Sequence, residues 1–352
     1  MAKALVGMSG GVDSSVSAYL VMQAELECIG ATMVLFPDPS ECCTPNQLED
    51  ARKVTEKLGI PFFVLDFSSD FRKNVMDHFV ASYEKGLTPN PCIECNKHLK
   101  FSQFMNSALE MGCDYVVTGH YAQIRKDERT GRFLLCKAAD AAKDQSYFLS
   151  GLTQHQLSHT LFPLGGLTKS EVRAIAEAQG FINAKKRDSQ DICFIPDGDY
   201  YSFLKRYTGK DYTPGDYLDL NGKTVGKHQG AAAYTIGQRK GLGIALGEPM
   251  YVCSKDMTAN TVTLGPNDAL FHTTLLADNW NWFPFPTLTN PIKVNAKARS
   301  RMFEQPATAY PQENGLVKIV FDEPQRALTP GQAIVLYNGD VVVGGGTILC
   351  VI

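Results

Sequence analysis

Two groups of residues in this chain have the types and spacing to do chemistry: a set of thiols and a turn rich in glycine and serine. Cys92 and Cys95 form a C-x-x-C in NPCIECNKHLKF, and Cys193 stands in KRDSQDICFIPDGDY. A C-x-x-C fits a disulfide, a zinc knuckle, a redox couple or part of a larger thiol set. Cys193, flanked by Ile192, Phe194 and Ile195, reads as a buried strand cysteine when taken alone. The second group is GMSGGVDSS, Gly7 to Ser15. Gly10 and Gly11 let the backbone approach an anion without a Cβ in the way. The amides that follow, at a helix start, favour negative charge. Ser9, Ser14 and Ser15 add hydroxyl donors, and Asp13 has the oxygen chemistry to hold Mg²⁺. The turn lacks the G-x-x-x-x-G-K-[ST] of a Walker loop.

These groups need elements to hold them. KALVGM reads as a buried strand before the loop and DSSVSAYLVMQAELE as a helix after it. CIGATMVLF, IPFFVLDF and DYVVTGHYA are further strands. QLEDARKVTEKLG, with Leu48, Ala51, Val54 and Leu58 on one stripe, is a helix, as are DFRKNVMDHFVASYEKG and KHLKFSQFMNSALEMG. GLTPNPCIECN is expected to be a proline-rich loop between two of them. Alternation of this kind implies an α/β fold, a doubly wound parallel sheet with ligands at the carboxyl ends of its strands. From about residue 200 glycine, proline and tyrosine become frequent, with a hairpin signal at Asn221-Gly222. From about 273 β-type runs follow one another, so the expected domains are 1–200, 201–272 and 273–352, the last a small closed or sandwiched β domain.

Composition bounds the class. The 352 residues are 44% hydrophobic, with a formal net charge of −3 and ten cysteines. That excludes a disulfide scaffold and a uniformly basic nucleic-acid coat, though not a local basic groove. No apolar run approaches the ~18 residues of a membrane span. The first residues lead straight into a strand without a targeting pattern, so a cytoplasmic protein is expected. In IKVNAKARSR, strand alternation would put Lys293, Asn295, Lys297, Arg299 and Arg301 on one face, suited to tracking phosphates. A solvated strand face is the plainer reading of that run.

S-G-G-x-D-S-S after a first strand resembles the PP-loop of the ATP pyrophosphatases. With TPNPCIECNKHLKF, VTGHYA, KDQSYFLSGL, SQDICFI, YTIGQRKGLG and LTPGQA in this order, nearly the whole chain resembles the tRNA-specific 2-thiouridylases, the MnmA/TrmU family. The resemblance implies a PP-loop domain, a small central domain and a C-terminal β-barrel. The implied activity replaces O2 of the wobble uridine, position 34 of certain tRNAs, with sulfur. Carried over by position, Cys95 matches the nucleophile and Cys193 the cysteine that carries a persulfide. Gly7, Met8, Ser9, Gly10, Gly11, Val12, Asp13 and Ser14, with Met33 and Gly119, match the ATP site. Asn90, Pro91 and Cys92 match the target-base segment. His120, Lys143, Asp144, Gln145, Arg299, Ser300 and Gln332 match tRNA contacts. Two positions depart from the common pattern: many members have Asp at Cys92 and Tyr at Ser300.

The implied chemistry has two routes for sulfur. In both, ATP with Mg²⁺ turns O2 into an adenylate and pyrophosphate leaves. In one route Cys92, Cys95 and Cys193 hold three irons of a [4Fe–4S] cluster and the fourth iron binds exogenous sulfide. In the other a donor protein loads Cys193 as a persulfide and Cys95 releases or assists the terminal sulfur. The extra thiol at Cys92 favours the cluster. A Zn²⁺ site would need a fourth ligand such as His98 or His120. Other PP-loop ligases need no such thiol set, and an intact PP-loop speaks against a non-catalytic tRNA-binding or iron–sulfur protein. Cys42 and Cys43 have no assigned role.

Overall fold

The structure, a computed structural model, describes residues 1–36, 45–186, 192–245 and 247–352. Cys42 and Cys43, and residues 189–191 of SQDICFI, lie outside the described residues. Strand β1 (Lys3–Gly7) has Ala4, Leu5 and Val6 wholly buried. It is buried on both faces because strand side chains alternate. Leu5 enters one core with Ile29, Phe101 and Phe104. Ala4 and Val6 enter another with Val16, Val54 and Val172. Helix α1 (Val12–Gln23), strand β2 (Glu27–Val34), helix α2 (Pro45–Leu58) and strand β3 (Phe62–Asp66) follow. Strands β4 (Tyr115–Val117) and β7 (Thr160–Leu161) complete a five-stranded sheet of order β3-β2-β1-β4-β7. All its pairings are parallel. The order reverses beside β1, so the crevice between the carboxyl ends of β1 and β4 is where such sheets hold ligands.

Two expectations about local structure change. The helical run at 68–84 and the one at 91–110 both contain wide π-type turns, Arg72–Met76 and Asn96–Gln103. The second run begins at Pro91, so Cys92 and Cys95 sit in its first turn and not in a loop. Asn90 is the N-cap and Pro91 occupies the first helical position, where its missing N–H costs nothing. β4 also ends sooner than DYVVTGHYA suggested, and His120 and Tyr121 follow it in irregular backbone.

The middle of the chain folds as a four-stranded sheet of strands β8 (Gly215–Leu218), β9 (Thr224–His228), β10 (Tyr251–Asp256) and β11 (Thr261–Gly265), in order β10-β11-β8-β9. β8 and β9 form the hairpin expected at Asn221-Gly222, with Gly222 at φ 81°. Strands β12 (Phe271–Trp282), β13 (Ile292–Lys297), β14 (Gln305–Pro311), β15 (Val317–Arg326), β16 (Ala333–Asn338) and β17 (Val341–Val351) form an antiparallel barrel. It runs β12-β15-β14-β13-β16-β17 and closes by pairing β17 back onto β12.

A hairpin from the first half of the chain, strands β5 (Gln123–Lys126) and β6 (Phe133–Cys136), joins the barrel sheet through β17, with Cys136 opposite Val341. Arg132 at its turn donates from Nε to the Phe283 carbonyl at 2.6 Å and from Nη2 to the Trp282 carbonyl at 3.0 Å. Among the described residues no helix is long and apolar enough to cross a membrane.

Arg132→Met keeps the aliphatic stem and removes both charged donors. It is expected to cost about 2 kcal/mol, the scale for a hydrogen bond to a charged group. A thermal melt unchanged from wild type would show that the hairpin needs no such clamp.

Candidate functional site

The loop between β1 and α1 is shaped by two close approaches. Gly10 has φ +70°, and a Cβ there would lie 2.2 Å from the Gln47 carbonyl oxygen. A Cβ on Gly119, just past β4, would come within 2.9 Å of Asp13, so only glycine lets the two turns touch. Met8 and Val12 are buried anchors at either end of the loop. Ser14 and Ser15 both donate through Oγ to the Gly11 carbonyl at 3.0 Å, and the Ser9 amide donates to Ser14 Oγ at 3.2 Å. The Asn183 amide donates to the Gly10 carbonyl and to Ser15 Oγ. Met33, near the end of β2, packs against the core containing Leu5 and Phe101 at the rim of the crevice.

Two lysines that sequence reasoning missed converge on this loop. Lys169 Nζ donates to both Asp13 carboxylate oxygens at 2.7 and 2.8 Å, and the Tyr121 hydroxyl donates to Asp13 at 2.8 Å. Lys169 opens helix Lys169–Ala178, which Thr168 and Glu171 cap reciprocally, and the Lys169 amide donates to Asp140. Lys186 Nζ donates to the Gly10 carbonyl at 3.2 Å and pairs with Asp50 at 2.8 Å. The signal available was a capping box with Lys at its first helical position. Nothing in the spacing said what the lysine would reach.

Of the thiols, Cys95 belongs to a cluster of buried residues separate from those that pack on β1. Asn90 Oδ1 accepts from the Cys92 and Ile93 amides, so this predicted base-contact residue also fixes the helix start. Pro91 is buried, Cys92 exposed and Cys95 buried. Cys193 is exposed and lies in a turn, not in a strand. Its neighbours Phe194 and Ile195 enter the cluster that contains Cys95, Phe71, Phe79 and Phe203. The Phe194 ring stands edge-on to Phe71 at 5.8 Å and to Phe79 at 5.3 Å. Burial pushes the Cys95 thiol up to about 11, with the Lys100 ammonium opposing and Cys193 and Cys92 adding to the rise. Lys100 and Cys193 act on Cys92 in the same senses, so one lysine serves both thiols. Lys100 too was missed; it lies in the π-type turn that a 3.6-residue reading does not resolve. Among the described residues no group of three or more His, Cys, Asp or Glu is placed to hold a metal ion.

The residues read as tRNA contacts are mostly tied into the fold. His120 Nδ1 lies 2.7 Å from Thr118 Oγ1, and its ring forms a three-ring cluster with Phe101 at 5.8 Å and Phe162 at 5.9 Å, these two themselves 5.9 Å apart. Burial first, and Lys100 second, holds its pKa well below the usual histidine range, so the ring is neutral. Asp144 accepts from the Ala138 and Ser146 amides and from Ser146 Oγ. Gln145 accepts from the Tyr121 amide at 2.9 Å. Lys143, Ser300 and Gln332 are partly exposed.

The five-residue cationic face is shorter than expected. β13 ends at Lys297, and Arg299 turns inward to donate to the Ile236 and Ala327 carbonyls at 3.0 Å and to Thr329 Oγ1. A guanidinium ties β-segments together better than it tracks phosphate when three oxygens already surround it.

Known proteins resemble this chain along its length. Residues 2–197 match the family model described as tRNA methyl transferase HUP domain, residues 201–266 the tRNA methyl transferase PRC-barrel domain, and residues 272–348 the aminomethyltransferase beta-barrel domain. The tRNA-specific 2-thiouridylase MnmA of Clostridioides difficile is 49% identical, with 98% of each chain covered. Proteins of the same name from Acetivibrio thermocellus and Symbiobacterium thermophilum are also 49% identical over 98% of this chain, covering 99% and 92% of theirs.

A thiol raised to about 11 is almost wholly protonated at neutral pH, and its thiolate fraction grows about tenfold per pH unit below that value. Iodoacetamide at pH 7 is therefore expected to label exposed Cys193 well before Cys95, with Cys95 labelling rising steeply up to pH 10. Equal labelling of the two at pH 7, read by peptide mass spectrometry, would contradict this.

Proposed function

This chain belongs to the tRNA-specific 2-thiouridylases, a family of enzymes, and on that premise we propose how its own residues carry out an ATP-dependent thiolation of the wobble uridine. The matching family models are described by methyl transfer. Whole-chain relatives and a loop built for phosphate both favour sulfur transfer over methyl transfer. The observation that carries the proposal is the anchoring of Cys193 beside Cys95 by Phe194, in a domain whose glycine–serine loop lies at the sheet's switch point.

In this reading the amides of residues 9–15 at the start of α1 take the phosphates of ATP. Lys186 and Lys169 neutralise them, Lys169 on leaving Asp13. The Asp13 carboxylate, with neighbouring serine hydroxyls, is an oxygen donor set of the kind Mg²⁺ accepts; the ion would add charge neutralisation at the phosphates. Uridine O2 attacks the α-phosphorus, pyrophosphate leaves and O2 becomes a good leaving group. The target base leaves its stack, as base-modifying enzymes require. The neutral, partly exposed His120 ring, with Phe162 and backed by the buried Phe101, offers an aromatic wall beyond the end of β4. The exposed Arg239, Lys240 and Arg301, with Lys297 and Lys143, supply cations for the tRNA backbone.

Sulfur then passes through a thiol pair. A donor protein leaves a persulfide on exposed Cys193. Cys95, its thiolate favoured by Lys100, attacks the inner sulfur, closing a Cys95–Cys193 disulfide and expelling hydrosulfide. Hydrosulfide adds at C2, and AMP leaves with the former O2. A dithiol reductant reopens the disulfide. Three cysteine thiolates are the right ligand type for a [4Fe–4S] cluster. The described side chains, however, are not grouped at ligating distance, so no step is drawn through iron.

Lys169→Ala is expected to lower tRNA-dependent pyrophosphate release about a hundredfold, the scale for losing one preorganised charge at a reacting phosphate. Release at the wild-type rate would remove Lys169 from the nucleotide site. Cys95→Ser and Cys193→Ser should each stop 2-thiouridine formation, whereas Cys92→Ala should keep most of it with a persulfide donor. Iron in anaerobically purified wild-type protein, together with inactivity of Cys92→Ala, would replace the thiol pair by a cluster.

A further inference from the structure

We propose that Phe303 is a stacking platform for an unpaired base of the tRNA, on a turn that shares its barrel anchor with the chain leading into the thiol helix; this rests on the 2-thiouridylase reading and adds to it a contact on the barrel side. Phe303 is 88% exposed, more than any other large hydrophobic side chain described except Met1. Lone exposed apolar residues are ordinary and need no account. This one differs because everything around it is fastened. Ala298 is buried, and the Met302 amide donates to the Arg299 carbonyl at 3.1 Å, closing a turn. Arg299 is tied to the Ile236 and Ala327 carbonyls and to Thr329. Met302 packs against the barrel core, and Glu304 is held by Lys137 at 2.6 Å. The turn is built, and the ring that directly follows it is left in water.

Its place in the fold points to the substrate. The barrel segment that receives Arg299 also receives the Thr88 amide, which donates to the Pro330 carbonyl at 2.9 Å. Two residues after Thr88 comes Asn90, the cap of the helix that carries Cys92 and Cys95. The turn and the thiol helix therefore hang from the same few barrel residues.

The surrounding charge selects the ligand class. Arg301, two residues before Phe303, is exposed and Lys297 precedes the turn, while Glu304, the one acid in the stretch 292–311, is neutralised by Lys137. An aromatic face on a segment that carries cations, its own acid paired, matches single-stranded nucleic acid: phosphates for the cations, a base for the ring. A protein partner would be met by an apolar ring of neighbours that excludes water. Here Met302 points inward and the flanks are charged.

The test compares variants in binding to an anticodon stem-loop RNA and in thiolation of full tRNA at one fixed salt concentration. Phe303→Ala is expected to weaken RNA binding and raise KM for tRNA about tenfold, with the smaller part of the effect in kcat. Phe303→Leu should behave like the alanine variant, because it keeps apolar bulk and loses the π face. Phe303→Trp should bind at least as well as wild type, and its added tryptophan emission should be quenched by the RNA. Wild-type affinity in the alanine variant would overturn the proposal, as would wild-type affinity in the leucine variant. So would an alanine defect confined to sulfur delivery from a persulfide donor protein, which would make Phe303 a protein-docking residue. Wild-type protein that thiolates no tRNA would instead overturn the enzyme reading, and this contact with it.

Discussion

The arrangement of thiols depends on one aromatic junction. Phe194 stands edge-on against Phe71 and Phe79 and packs on Phe203 at 5.1 Å. Edge-to-face pairs contribute roughly 0.5–1.5 kcal/mol each beyond the area they bury, enough to hold a short turn in place. Through that junction, a segment about a hundred residues along the chain comes to rest beside the helix that starts at Pro91. The same wall has a chemical cost. By excluding water from Cys95 it disfavours the thiolate, and Lys100 is the nearby charge that works in the other direction. Proximity and acidity are thus set against each other by one packing decision.

The nucleotide loop shows a related balance. Asp13 is neutralised by Lys169 and accepts a hydrogen bond from the Tyr121 hydroxyl, and Lys186 is held by Asp50 and the Gly10 carbonyl. The charged groups at the mouth of this loop are paired with one another. This keeps them solvated or paired without locking them away. The capped start of helix Lys169–Ala178 aims Lys169, so the lysine is positioned by backbone geometry, not by the carboxylate alone.

What the sequence disclosed follows a physical divide. The loop Gly7–Ser15, the parallel sheet and the hairpin at Asn221-Gly222 were legible because each is written in adjacent residues: glycines where a turn needs them and alternating apolar runs. The start of the thiol helix was also written there, as Asn90 before Pro91, and was passed over because proline suggested a loop. Lys169, Lys186 and Lys100 were not legible, since their partners are distant in sequence or offset by a π-type turn. Arg299 looked like a surface cation by strand parity. The strand stops two residues earlier, and a buried set of oxygens captures the side chain. The closure of the barrel by β12 and β17 could be expected only as a class, because register over some seventy residues has no local mark.

The hairpin β5–β6 has a consequence for how the molecule is made. Its partner strand, β17, leaves the ribosome about two hundred residues after β6. At 5–20 residues per second that is a wait of roughly 10–40 s. If the first part of the chain folds in that interval, β6 displays an unpaired edge and the apolar Leu135 has no barrel to lie against. Edges of this kind recruit other strands. The protein must therefore carry a half-finished sheet through most of its own synthesis, and its last strand is the one that makes its first half safe.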